Sequence, residues 1–137
     1  MSSNFDLSAL AFKETFALQL KHPVDDTLLW ADDSQTKPVV INLYGKASKQ
    51  YQRAVTAMQS RALRRQAKKT EATPEMLQSE ALALLEACSE SAENLVLDGK
   101  PVVTPADLRA LYENPKFSWV KDQVDGNLSE ASNFLDQ

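Results

Sequence analysis

At Gly45 the spacing of the apolar residues changes. Up to that point "VVINLYG" sets Val39, Ile41 and Leu43 on one face and Val40, Asn42 and Tyr44 on the other, the period of two that belongs to a strand. Beyond it Tyr51, Ala54, Val55, Met58 and Ala62 share one sector at about 100° per residue, the period of an amphipathic helix over residues 47 to 68. A chain that changes period in this way has to pack helices against a sheet, so the expected class is α+β.

The remaining elements follow from the same two periods and from the residues that interrupt them. "FALQL" alternates Phe16, Leu18 and Leu20 with Ala17 and Gln19 and reads as a strand. "KHPVDDT" breaks it with turn chemistry from Pro23, Asp25 and Asp26, and "TLLWA" (residues 27–31) reads as a returning strand, giving a small antiparallel sheet of three. Downstream, "TPEM" opens a second helix with Thr73 as cap and Pro74 at the first position, where a missing N–H costs nothing. Its expected buried stripe is Leu77, Ala81, Leu84, Cys88, Ala92 and Leu95, with "LDGKP" ending it. "TPAD" repeats the device: Thr104 caps, Pro105 follows and Asp107 occupies the capping-box position of a short helix to Glu113. Asn114 and Pro115 then restart the chain into a last helix. Phe117, Val120, Val124, Leu128, Ala131 and Leu135 line one side of it, and Gly126 weakens it near residues 125–127. The expectation is one domain of 137 residues, β-rich over 1–45 and helical over 46–137 in a bundle of about four helices.

Little in this chain suits catalysis. The lone histidine, His22, sits among turn residues, and the lone cysteine, Cys88, lies in an apolar stripe where a small buried hydrophobe is the ordinary reading. One of each cannot build a zinc tetrad. The acidic pairs of "PVDDT" and "WADDS" lack the alternating ligands and turn glycine of a calcium loop, and three separated glycines make no phosphate cradle. The reading is a protein that is not an enzyme and takes no cofactor. "MSSNFDLSALAFKETFALQL" does not resemble a secretory signal, and no stretch is apolar enough for a membrane span, so a soluble cytoplasmic protein is expected.

The charges are divided along the chain. Lys46 to Lys69 contains eight cations and no acid, whereas Glu71 to Glu93 contains acids and no base. Arg53, Arg61, Arg64 and Lys68 gather beside the apolar stripe of the first long helix, with Arg65 at its edge. A basic strip invites nucleic acid, but the chain as a whole carries a net charge of −4. The strip has no exposed stacking rings, and the next helix is acidic where a recognition helix would meet phosphate. A protein partner is the better match, with a nucleic-acid-binding regulator the weaker alternative.

In order and motif the chain resembles the tail assembly chaperones of long-tailed bacteriophages. The resemblance lies in "KPVVINLYGKASKQYQRAVTAMQSRAL", which is similar to that family's strand, its "YG" transition and its basic helix. It lies also in "LDGKPVVTPADLRALYENPKFSWVKDQVDGNLSEASNFL", with its glycine-proline turn, Thr-Pro helix start, "LY..P", aromatic-led helix and "NFL". The sequence departs from the family pattern at Ala47, where an acid is common, and near Asn94, where a tryptophan is common. The resemblance implies a non-enzymatic factor that binds the tape-measure protein and the tail-tube protein in the host bacterial cytoplasm and is absent from the mature virion. It implies too that this is the shorter product where relatives make a frameshifted one. Possible self-association fits such a role, and a structural head-tail or tail component is the alternative. The candidate partner-binding residues are Arg61, Arg64, Arg65 and Lys68 of the basic strip, with Trp119 and Phe134 of the last helix.

Overall fold

In a computed structural model of the chain, residues 4–135 are described. Strands β1 (Thr15–Gln19) and β2 (Val40–Tyr44) pair antiparallel with Leu18 opposite Ile41. Helices α1 (Lys49–Ala67) and α2 (Pro74–Ala87) follow, and the chain then returns to the sheet as β3 (Ser89–Glu93), antiparallel to β2. A two-stranded hairpin, β4 (Val96–Leu97) and β5 (Lys100–Pro101), precedes α3 (Pro105–Glu113) and α4 (Ser118–Leu128). The three-stranded sheet has the order β1-β2-β3, so β2 is central and β1 is an edge.

The class is α+β, as expected, but the third strand comes from elsewhere. "TLLWA" does not form a strand: Leu28 and Trp30 make isolated bridges to Lys21 and Pro38. Leu29 wedges between Leu20 and Val39 through backbone bonds of 2.9 and 3.1 Å where β1 and β2 diverge. The second helix stops at Ala87, and Ser89–Glu93 takes the free side of β2. A bulge explains why this strand carries helical spacing. Leu43 faces Ser89 and Asn42 faces Ser91, leaving Glu90 as the extra residue. Ser89 and Ala92, three apart, are therefore both buried. The division into a β part over 1–45 and a helical part over 46–137 fails for the same reason: one strand of the sheet belongs to the second part.

Where helices were expected from their caps, they start as expected. Thr73 Oγ1 accepts the Met76 N–H at 3.1 Å, and Thr104 with Asp107 forms a reciprocal capping box at 3.2 and 3.1 Å. The stripe of α2 differs: Leu82 and Leu85 face the core, whereas Leu77 and Ala81 are exposed. The last helix does not run to Leu135. It ends at Leu128, and a 3-10 turn over Ala131–Phe134 carries the chain on, held by Asn133 Nδ2 bonding to Asn127 Oδ1 at 2.9 Å. "LDGKP" is the β4–β5 hairpin, whose turn residues Asp98 and Gly99 both have positive φ, the demand of a type I′ turn. Asn94, the departure from the family pattern, also has positive φ, a conformation asparagine tolerates, and its side chain bonds the Pro38 carbonyl at 2.8 Å.

The core lies between one face of the sheet and α2, α3 and α4. Leu18, Leu20, Ile41 and Leu43 meet Leu85, Leu108, Val120 and Val124 there. α3 packs against both α2 and α4 and against β3. Among the described residues no helix is long and apolar enough to cross a membrane.

Candidate protein-binding surface

The basic strip lies on α1, a helix that stands outside this core and reaches it only through α2, whose Leu82 and Leu85 are buried there. α1 begins where Ser48, buried, donates to the Gly45 carbonyl at 2.7 Å and accepts the Tyr51 N–H at 3.1 Å. It packs chiefly against α2, and none of its residues is buried. Tyr51, Ala54, Val55 and Met58, the expected apolar stripe, are half-covered, and Ala62 is exposed. The helix closes with a Schellman pattern: the Lys69 N–H reaches the Gln66 carbonyl at 3.1 Å and the Thr70 N–H reaches the Arg65 carbonyl at 2.8 Å. That motif places Lys69 at φ 53, a position that favours glycine.

Between α1 and α2 runs a shallow groove of about 460 Å³, and Arg61, Arg64 and Arg65 all line it with Met76 and Glu80. The three arginines are not equivalent. Arg65 makes a two-pronged contact with Glu80, both side chains being mostly buried, and Arg61 Nε approaches the same carboxylate at 3.6 Å. The hydrogen bond from Arg65, the largest cause, holds the Glu80 carboxyl below its ordinary value. Arg64 and Lys68 are exposed and have no ion-pair partner among the described residues. Leu63, Met76 and Leu77 add exposed apolar surface on the same two helices, Leu63 at 65%. The acids of α2 therefore divide: Glu80 neutralises the inner part of the strip, while Glu86 turns to Arg109 of α3 at 3.1 Å. The rim formed by Arg64 and Lys68 keeps its charge.

The other two candidates lie elsewhere. Trp119 is half-buried on α4, packed against the core and lining a separate groove beside β1. Phe134 is 4% exposed: its ring stacks obliquely on Phe16 at 5.7 Å and covers Gly45, where an added Cβ would sit 2.6 Å from ring carbons. It is a packing residue in this fold, and its aromatic surface is not open to a partner. Cys88 is fully buried, and burial pushes its thiol up to about 11. Tyr112, buried and bonded to Ser89 Oγ at 2.8 Å, is likewise pushed up to about 12, chiefly by burial. His22 caps its turn, Nδ1 accepting the N–H groups of Val24 and Asp25 at 3.1 Å each. Asp32 does the same for the next loop through Thr36 and Lys37.

Sequence reasoning passed over Glu80, Leu63 and Met76. The wheel of α1 placed the cations but carried no information about which face of α2 would meet them. Comparison with family models, with curated proteins and with solved structures finds no match to this chain.

Proposed function

We propose that the chain is a non-enzymatic tail assembly chaperone of a long-tailed phage or prophage, binding the tape-measure protein and tail-tube subunits and keeping them competent for assembly. The observation that supports this reading best is the α1–α2 hairpin, whose apolar stripe is half-covered and whose rim keeps free cations beside exposed Leu63, Met76 and Leu77. Such a surface suits an amphipathic helix with an acidic flank: apolar side chains lie in the groove, and carboxylates meet Arg64 and Lys68. Long helices awaiting assembly expose apolar faces of this kind, and reversible masking keeps them soluble. The reading carries with it the host bacterial cytoplasm as the place of work and absence from the finished particle.

Co-expression with the cognate tape-measure protein tests it. The wild-type chain keeps that protein in the soluble fraction and co-purifies with it, and Leu63→Asp combined with Arg64→Glu and Lys68→Glu abolishes both effects. These three side chains are exposed and leave the Arg65–Glu80 pair intact, so the fold survives the change. Equal tape-measure solubility with and without the chain, or full capture by the triple variant, overturns the proposal. Mass spectrometry of purified particles separates it from a structural tail component, which would remain in them.

A further inference from the structure

One edge of the sheet is open over a defined length. The Leu20 N–H bonds to Val39 and the Glu14 carbonyl accepts from Gly45, so the even-numbered residues of β1 face β2. The N–H and C=O groups of Thr15, Ala17 and Gln19 consequently point outward, and they have no partner among the described residues. Both ends of this gap are closed. The Lys13 N–H bonds to the Phe134 carbonyl, and Gln123 of α4 imitates a strand at Lys21, accepting its N–H at 3.0 Å and donating to its C=O at 2.8 Å. Alongside the gap lies a groove of about 770 Å³ between β1 and α4, with Phe16, Leu18, Leu28 and Trp119 as its apolar part and polar side chains such as Asp122 and Asn127 along α4.

The segment before β1 has the complementary character. Phe5, Leu7, Leu10 and Phe12 are exposed at 71, 75, 56 and 48%, and the one regular element among its described residues, a 3-10 turn over Leu7–Leu10, has no buried residue. Over residues 5–9 its sequence alternates: Phe5, Leu7 and Ala9 fall on one face of an extended chain and Asp6 and Ser8 on the other, a pattern that Leu10 ends by falling with the polar pair. We propose that Phe5–Ala9 of a second copy of this chain adds to the open edge of β1 as a fourth strand. Phe5, Leu7 and Ala9 then extend the inner face made by Phe16, Leu18 and Leu20 beneath Trp119. Asp6 and Ser8 extend the solvent face made by Ala17 and Gln19.

The arm of the same molecule is poorly placed to do this. Residues 10–14, "LAFKE", contain no turn former for a hairpin, and the edge at Lys13, which a returning strand would pass, is already taken by Phe134. A second whole sheet is a poorer match, because Gln123 at Lys21 and Phe134 at Lys13 already occupy the ends of the edge and leave only Thr15–Gln19 to pair. Exchange in both directions closes a two-fold dimer and covers both open edges.

Light scattering after gel filtration tests the proposal on the full chain. The wild type elutes with twice the 15.2 kDa chain mass. Ala17→Pro removes an outward N–H, leaves the β1–β2 ladder whole and abolishes the dimer. Leu7→Asp with Phe5→Asp abolishes it from the other side. Mixing the two variants restores a one-to-one pair, since the intact arm of the first enters the intact edge of the second. Circular dichroism checks that each variant is folded, and Gln19→Pro, whose N–H also points outward, replaces Ala17→Pro should the latter unfold. A wild type that stays monomeric at all concentrations overturns the proposal, whatever other strand the edge accepts. So does an arm variant that still dimerises, or a mixture of folded variants that does not pair.

Discussion

The sheet end of the molecule and helix α1 are held by different forces. In the first, Ile41, Leu43, Leu108 and Val124 are fully enclosed, and the structure depends on contacts between residues far apart in the chain. In the second no residue is buried, and the helix depends on its cap at Ser48, a Schellman turn and the Arg65–Glu80 pair that ties it to α2. An element stabilised locally can keep its apolar stripe half-open. The contrast shows where stability and where partner binding are to be sought.

The comparison is tested most severely by Leu43→Ala. Removing a fully enclosed side chain is expected to cost about 2–5 kcal/mol in a denaturant titration, whereas Leu63→Ala on the hairpin stays within about 0.5 kcal/mol. Equal effects would erase the distinction. Gly45→Ala comes next: the added methyl meets the Phe134 ring at 2.6 Å, and forcing the ring away is expected to cost about 1–3 kcal/mol. A neutral result would mean that the Ala131–Phe134 turn is only loosely seated on the sheet. Lys69→Gly probes the hairpin from the favourable side. Relieving the left-handed conformation at φ 53 should stabilise the protein by at most about 1 kcal/mol, partly offset by the entropy of glycine.

The smallest effect concerns pH. Glu80 has a folded pKa below its ordinary 4.5, mainly through the hydrogen bond from Arg65. Its contribution to stability is therefore complete above that value and disappears as pH falls through the lower folded value. The stability difference between wild type and Glu80→Gln should be steady near neutral pH and should shrink below about pH 4.5. A difference independent of pH would show that the pair is neutralised by solvent.

Much of the local structure was legible in the chain because the residues responsible lie within one turn of each other. Thr73-Pro74 and Thr104-Pro105-Asp107 start their helices as read, and the alternation of "FALQL" and "VVINLYG" marks β1 and β2. "SESAE" defeated the same reading, since a bulge at Glu90 gives a strand the three-residue spacing of a helix. Of the candidate site, Arg61, Arg64 and Arg65 do share one groove. Which of them is neutralised was not readable from α1 alone.

The sequence by itself determined the periods, the caps, the turns and the division of charge along the chain, all of which arise from backbone preferences and neighbours a few residues away. Only the tertiary structure decided that Ser89–Glu93 completes the sheet, with Asn42 bonding to Ser91 across 49 residues. The same holds for the enclosure of Phe134 over Gly45, the pairing of Glu80 with Arg65 and the open outer edge of β1. Each of these is settled by which surfaces meet once the chain has collapsed, and no local propensity carries that information.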